Sequence, residues 1–298
     1  MNGTLRSTFI LSVPLGVIML ALCWGNLPGN FWGTVEPPKA QCEAYHAGRL
    51  HTSATLTQEI YDQDKLDRWI REPQNTISNL PYLVAGWAIV LAGRKPASFG
   101  LGLAGMFLGF GSGMYHASLL PEWRMIDILG VYAVLYCLLL VGLATSVKRL
   151  AHGPGATVGI ISVWAAAIYT GVHRNDIRFM GVKLFDSTYV FVAAVIIGGL
   201  LAVAAFFRSA NRSASLRAMF VFLIVTPIAF AGGIGDRFGG FWAAPEVFPQ
   251  GHAVWHAFGA LSLIALYEVF AAAGFDQSVL KPRERWQYGQ ASDRVSSS

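Results

Sequence analysis

The sequence predicts an all-α membrane protein, a bundle of seven transmembrane helices with an additional hydrophobic helix at its N-terminus. Of the 298 residues, 54% are hydrophobic and 13% are charged, about half the charged share of an ordinary soluble domain. The apolar residues occur in long blocks rather than at scattered core positions. The net charge of +5 is modest, and the basic residues cluster in short loops. This pattern favours membrane orientation over nucleic-acid binding.

Seven segments are long enough to cross a bilayer, because roughly 20 mostly apolar residues span about 30 Å of hydrocarbon. An eighth apolar stretch, from Thr8 to Trp24, follows Arg6 and lacks a small-residue cleavage site. We interpret this stretch as a retained signal-anchor helix. The seven predicted spans are 76–93, 98–120, 125–147, 155–173, 187–207, 217–235 and 251–274.

Basic residues in alternate loops set the predicted orientation. The pairs Arg94-Lys95 and Lys148-Arg149, with the groups after the fifth and seventh spans, fall on one side. The positive-inside rule makes that side, and the C-terminus, cytoplasmic, in a bacterial inner membrane or an organelle membrane. The predicted domains are the N-terminal helix, an extracytoplasmic acidic segment, the seven-helix domain and a cytoplasmic tail, with ranges 1–25, 26–75, 76–275 and 276–298.

Glycines repeat every four residues in the second span, at Gly105, Gly109 and Gly113. A stripe of small residues lets two helix backbones approach closely in lipid. The repeat therefore predicts a helix-packing contact and no direct chemical role.

Five polar side chains interrupt the spans, where such residues are costly and usually mark function. Ser112 and His116 are four residues apart in the second span, and His252 and His256 are four apart in the seventh, so each pair shares a helix face. Asp127 lies near the start of the third span. Because the second span runs outward and the other two run inward, all five are expected at one depth on the extracytoplasmic side.

Three histidines and one open position are the ligand set of a catalytic zinc site. Zinc activates water and polarises a carbonyl group. A nearby carboxylate can transfer the proton, and a serine hydroxyl can hydrogen-bond a developing oxyanion. The pattern predicts metal-assisted hydrolysis of a lipid-borne amide or ester. Two alternatives stay open at this point: polar contacts between packed helices, and a bis-histidine haem site of an electron carrier.

Four motifs in this order resemble the alkaline ceramidases, which belong to a superfamily that also includes the adiponectin/progestin-type receptors. The resemblance runs from about residue 72 to 260. It implies a zinc-dependent amidase that cleaves ceramide, taken from the bilayer, to a sphingoid base and a fatty acid. A lipid-sensing receptor or scaffold with a structural metal site is the alternative within the superfamily. The motifs are Glu72-Pro73-Gln74-Asn75-Thr76-Ile77-Ser78-Asn79-Leu80, Ser112-x-x-x-His116, Asp127 and His252-Ala253-Val254-Trp255-His256.

The resemblance also implies a role for each site residue. His116, His252 and His256 would bind zinc. Asp127 would orient or deprotonate the attacking water, and Ser112 would contact that water or the amide oxygen. Asp236, near the end of the sixth span, resembles a family aspartate that precedes the final histidine pair, and its role is left open.

Family members with a regulatory calcium site carry acidic and amide residues just before the first of the seven spans. The last of these residues matches Glu72, and Cys42-Glu43 resembles a family Cys-Glu pair. Asp62 and Asp64 offer carboxylates closer to Glu72. Because calcium prefers several oxygen ligands, Glu72, Glu43, Asp62 and Asp64 are the candidate calcium ligands. The alternative is a solvated acidic loop.

Overall fold

Eight α-helices and one short hairpin follow one another along the described part of the chain. The computed structural model describes residues 69–173, 177–179, 182–185, 187–236, 242, 248–276 and 278–279. The predicted N-terminal helix, most of the acidic segment and most of the tail lie outside these residues. The helices are α1 (Pro73–Ile77), α2 (Leu80–Ala92), α3 (Pro96–Ser118), α4 (Pro121–Ser146), α5 (Gly153–Val172), α6 (Ser187–Arg208), α7 (Arg212–Gly235) and α8 (Gly251–Ala272).

Six of these helices, α3 to α8, are long and apolar enough to cross a membrane, so the chain is a multi-pass membrane protein. They correspond to the second to seventh predicted spans. The first predicted span, 76–93, instead divides into the five-residue α1 and the 13-residue α2. At about 1.5 Å per residue, α2 covers about 20 Å, which is short of a bilayer core. That the bundle has seven membrane-spanning helices, with 76–93 as the first, therefore stays a prediction.

Prolines mark where several helices begin. Pro73, Pro96 and Pro121 are the first residues of α1, α3 and α4. A proline fits the first turn of a helix, where its missing N–H costs no hydrogen bond. Only two residues separate α3 from α4, and the first, Leu119, has a left-handed backbone with φ of 56°. This tight connection places the end of α3 beside the start of α4.

A small antiparallel hairpin lies between α5 and α6, where the sequence predicted only a loop. Its strands are β1 (Ile177–Phe179) and β2 (Val182–Phe185). The hairpin departs from the all-α prediction, although the membrane-spanning elements are all helical. Its strands have three and four residues, too few for a period-two pattern to stand out in the sequence.

The six long helices divide into an inner and an outer set. Within their most apolar stretches, 61%, 56% and 61% of the residues of α3, α4 and α8 are buried, against 22% in each of α5, α6 and α7. Large apolar side chains such as Ile161, Leu200 and Leu223 are exposed on the outer helices. Such surfaces suit a lipid environment, so the inner set is where polar groups can be enclosed by protein.

The glycine stripe of α3 makes the helix-packing contact that the sequence predicted, and the structure shows that its partner is α2. A Cβ atom added at Gly105 would lie 3.3 Å from Gly86 Cα, and one at Gly109 would lie 2.9 Å from the backbone nitrogen of Leu83. At Gly113 the nearest atom would be Asn79 Cβ, at 3.8 Å. The predicted close approach is confirmed, and it holds the start of α2 against the end of α3.

Candidate active site

Three histidines from two inner helices meet at one end of the bundle. His116 is in the last turn of α3, and His252 and His256 are in the first two turns of α8. One nitrogen of each ring lies within 4.8 Å of the others, and the Nε2 atoms of His116 and His252 are 3.2 Å apart. His116 and His256 are 1% and 5% exposed. The structure thus brings together the three residues predicted to bind zinc.

Carboxylates lie against the Nδ1 atoms of two of these rings. Glu72 Oε2 lies 2.6 Å from His116 Nδ1, and Asp236 Oδ2 lies 3.2 Å from His252 Nδ1. A ring whose Nδ1–H donates to a carboxylate has Nε2 unprotonated and able to bind a metal, the usual arrangement around ligating histidines. Asp236, whose role the sequence left open, therefore orients His252.

The third ring has polar partners from the junction between α1 and α2. His256 Nδ1 lies 3.0 Å from Ser78 Oγ and 3.3 Å from the backbone oxygen of Asn75. Asn79 Nδ2 is also close, at 3.1 Å. With Nδ1 engaged in all three rings, the three Nε2 atoms are the nitrogens left for a ligand.

Backbone pairing explains how Glu72 reaches His116. A helix ends with four carbonyl groups that have no partner inside the helix. At the end of α3, the backbone nitrogens of Arg71 and Glu72 donate to the oxygens of Ala117 and His116, each at 3.1 Å. Arg71 also donates from its side chain to the Ser118 oxygen, and burial lowers the pKa of its guanidinium. These contacts fix residues 71 and 72 across the helix end.

The donor set fits a zinc-type ion. Two nitrogens that are each about 2.0–2.1 Å from a tetrahedral zinc are about 3.3 Å apart. The Nε2 atoms of His116 and His252 are 3.2 Å apart, and His256 offers its nitrogen within 4.8 Å of both. The three rings could therefore hold a metal ion of this kind.

Asp127 and Ser112 lie beside this cluster. Asp127 is half-buried, lines the same cavity as His252 and His256, and interacts electrostatically with His252. Ser112 is fully buried, and its hydroxyl group is beside the Asp127 carboxylate. A Cβ atom added at Gly111 would lie 2.6 Å from Ile126 Cγ2, so this glycine lets α4 approach and sets Ser112 near Asp127.

A largely apolar cavity of about 190 Å³ leads away from the histidines between α4, α6, α7 and α8. Along α4 its lining runs from Asp127 to Leu139, and along α8 from His252 to Leu266. At about 1.5 Å per residue, these stretches are about 18 and 21 Å long. The cavity can therefore take an extended hydrocarbon chain whose polar end is at the histidines.

Glu72 has a contact that sequence reasoning did not predict. It was a candidate calcium ligand, whereas in the structure its carboxylate lies against His116 and accepts from Asn75 Nδ2 at 3.0 Å. The other candidate calcium ligands, Glu43, Asp62 and Asp64, lie outside the described residues, so the calcium site stays a prediction. The sequence signal for the new contact was the motif from Glu72 to Asn79, which had been given no role at the histidines. Its polar residues contact His116 and His256.

Membrane-length helices around a buried three-histidine cluster define a multi-pass membrane protein with a site that could hold a metal ion. The family model of the ceramidases matches residues 65–290, so the chain belongs to the ceramidase family. It is accordingly an amidohydrolase that acts on the amide bond of ceramide. No curated protein and no solved structure matches the chain with significance. The resemblance noted in the sequence is confirmed.

Proposed function

We propose that this ceramidase is a zinc-dependent intramembrane enzyme that hydrolyses ceramide to a sphingoid base and a free fatty acid. The observation that carries the proposal is the convergence of three imidazoles whose Nδ1 atoms are all engaged by other groups. His116, His252 and His256 would hold the zinc ion. When bound, zinc supplies a Lewis acid for the amide carbonyl and lowers the pKa of water.

The carboxylate of Asp127 is the proposed general base. It lines the cavity next to His252, where a water molecule and the amide would meet. Asp127 would take a proton from the water as its oxygen adds to the carbonyl carbon. Returning that proton to the amide nitrogen as the C–N bond breaks would release the amine and the acid.

Ser112 is proposed as the hydrogen-bond donor to the water or the amide oxygen. Its hydroxyl is fully buried, one helical turn from His116, and beside the Asp127 carboxylate. This position places the hydroxyl group where the water and the amide oxygen would be. Donors held in place before charge develops stabilise the transition state without reorganisation.

The substrate is proposed to enter from the bilayer, with one chain in the cavity and its amide at the histidines. The apolar lining supports a hydrocarbon occupant, and the exposed apolar faces of α5, α6 and α7 support a surrounding lipid phase. The cluster lies where α3 ends and α4 and α8 begin. Together with the charge bias of the loops, this position favours an active site on the extracytoplasmic side.

The proposal is tested by metal analysis and lipid-product mass spectrometry on the full chain in lipid nanodiscs. We expect about one zinc per chain, and we expect chelation to abolish ceramide turnover and added zinc to restore it. His252→Ala should lose both the metal and the turnover. His152→Ala is the matched control, because His152 is exposed at the opposite end of the bundle.

Two results would contradict the proposal. Ceramide hydrolysis that survives in His252→Ala, or in the chelated protein, would show that the histidines are not needed for the reaction. Stoichiometric zinc whose removal lowers thermal stability but leaves turnover unchanged would make the metal structural.

A further inference from the structure

Tyr82 is a buried polar side chain that the proposed mechanism leaves unused. It is 8% exposed and lines the cavity with Asp127, His252 and His256. No residue that the structure describes forms a hydrogen bond with its hydroxyl group. The hydroxyl belongs to the cavity wall, within electrostatic reach of Asp127, so it is placed to donate a hydrogen bond to a polar group of the ligand.

Tyr82 lies on the face of α2 that continues from Ser78 and Asn79, the residues that orient His256. Ser78 and Asn79, at the start of α2, contact His256 Nδ1, and Tyr82 follows four and three residues later, on that face. The backbone nitrogen of Tyr82 donates to the Asn79 oxygen at 3.0 Å. Tyr82 is therefore held by the segment that positions His256.

A glycine on α8 makes room for the Tyr82 hydroxyl. A Cβ atom added at Gly259 would lie 2.2 Å from Tyr82 Oη and 3.3 Å from its Cζ. Gly259 is three residues after His256, so both are on one face of α8, and both line the cavity. The hydroxyl thus lies about 4.5 Å further along α8 than His256, on the side where the cavity becomes apolar.

We propose that Tyr82 is a specificity-determining residue that hydrogen-bonds a hydroxyl group carried close to the scissile amide of the lipid. This inference rests on the proposed function, because it takes the amide to be at the histidines. In a ceramide the 1-hydroxyl and the 3-hydroxyl of the sphingoid base are each three bonds from the amide nitrogen, and the 3-hydroxyl is the one at the start of the hydrocarbon chain. A 2-hydroxyacyl chain carries a hydroxyl next to the carbonyl. The 3-hydroxyl and the 2-hydroxyl can each lie a few ångströms from the amide on the chain side, at the depth of the Tyr82 hydroxyl.

The test compares Tyr82→Phe with the wild-type chain on three lipids of equal chain length. They are a ceramide, the same lipid without the 3-hydroxyl of the base, and that deoxy lipid with a 2-hydroxyacyl chain. We expect Tyr82→Phe to lower kcat/KM about ten-fold on the lipid whose 3-hydroxyl or 2-hydroxyl Tyr82 binds, and less than about two-fold on the lipid that has neither the 3-hydroxyl nor the 2-hydroxyl. A selective loss on the first lipid identifies the base hydroxyl, and one on the third identifies the acyl hydroxyl.

Two further variants separate recognition from structure. Gly259→Ala should displace the Tyr82 hydroxyl and so lose the same preference, in kcat/KM, for the hydroxylated lipid. Combining it with Tyr82→Phe should lower that preference no further than Tyr82→Phe alone. Tyr267→Phe is the control, because Tyr267 is a buried tyrosine that contacts Ser98 instead of the cavity. Equal losses on all three lipids in Tyr82→Phe, or no loss on any, would overturn the inference.

Measuring the binding of the reaction products tests the inference without requiring turnover. The affinities of a sphingoid base and its 3-deoxy form, and of a 2-hydroxy and an unsubstituted fatty acid, are measured by thermophoresis on the same preparations. If the wild-type chain cleaves none of the lipids, the proposed function fails. The inference then holds if Tyr82→Phe weakens only the binding of a hydroxylated product, and is overturned if it does not.

Discussion

Asp127 lines the same cavity as His252 and His256, and two roles are open to a carboxylate in that position. It could bind the metal, or it could handle the protons of the reaction. The three histidines have carboxylate or carbonyl partners at Nδ1 and form a complete set of nitrogen ligands. Asp127 lines the cavity instead of contacting an Nδ1 atom, a position that favours the role in proton transfer.

We predict that Asp127→Asn keeps the metal and loses most of the activity. An amide cannot accept the proton, and removing a positioned base costs about 10²- to 10⁴-fold in rate. The measurements are zinc content and kcat on ceramide. Glu122→Gln, an exposed position at the start of the same helix, is the control. A loss of zinc in Asp127→Asn would instead make Asp127 a ligand.

Sequence reasoning could bring together the candidate site residues but not their partners. Ser112, His116, Asp127, His252 and His256 could be assigned to one depth because helix direction and spacing are local properties. The contact between Glu72 and His116 joins residues 44 positions apart. It exists only because residues 71 and 72 pair with the end of α3, and no local pattern encodes that pairing.

At the scale of elements, α3 positions the site. Its glycines hold α2 on one face and α4 on the other, and its last turn carries His116. Because the backbones are almost in contact, even a small shift of α2 would move Ser78 and Asn79 away from His256. Packing between these helices and the geometry of the histidines are therefore coupled.

We predict that Gly109→Ala destabilises the chain by about 1–3 kcal/mol, the usual cost of overpacking, and weakens zinc binding. The new Cβ atom would lie 2.9 Å from the backbone nitrogen of Leu83 and 3.1 Å from the Asn79 oxygen, and neither atom can move without moving α2. Thermal unfolding and zinc retention during dialysis are the measurements.

Gly199→Ala is the matched control for this prediction. A Cβ atom at Gly199 in α6 would meet no described atom within 4 Å, and alanine favours a helix over glycine by up to about 1 kcal/mol. We expect unchanged or slightly higher stability. Equal thermal stability of Gly109→Ala and the wild-type chain would show that the close approach to α2 is not needed.

The spans themselves were the most predictable part of the fold, for a physical reason. A bilayer requires long apolar helices, so six of them could be read directly from hydropathy. The break between α1 and α2 was not predicted, because the first predicted span, 76–93, included the polar residues Thr76, Ser78 and Asn79. There the polar residues of the junction contact His256, a tertiary interaction that takes precedence over a continuous span.

On the scale of the whole molecule, one long apolar cavity with His252 and His256 at one end is lined mainly by α4, α6, α7 and α8. Its far part lies beside Leu139 of α4 and Gly198 of α6, where an added Cβ would be 3.7 Å from Leu139 Cδ2. A bulky side chain at Gly198 should fill this part and leave the amide position open. The length of the lipid chain that the enzyme accepts would then change without any change in the chemistry.

We therefore predict that Gly198→Phe lowers kcat/KM at least about ten-fold for long-chain ceramides, because each excluded methylene costs about 1–3 kcal/mol of discrimination in an apolar pocket. Short-chain ceramides should be nearly unaffected. Varying the acyl chain and the sphingoid chain separately shows which one occupies the cavity. Leu200→Phe is the control, because Leu200 is 65% exposed on the outer surface of the same helix. A loss that is independent of both chain lengths would mean that the cavity does not hold the substrate.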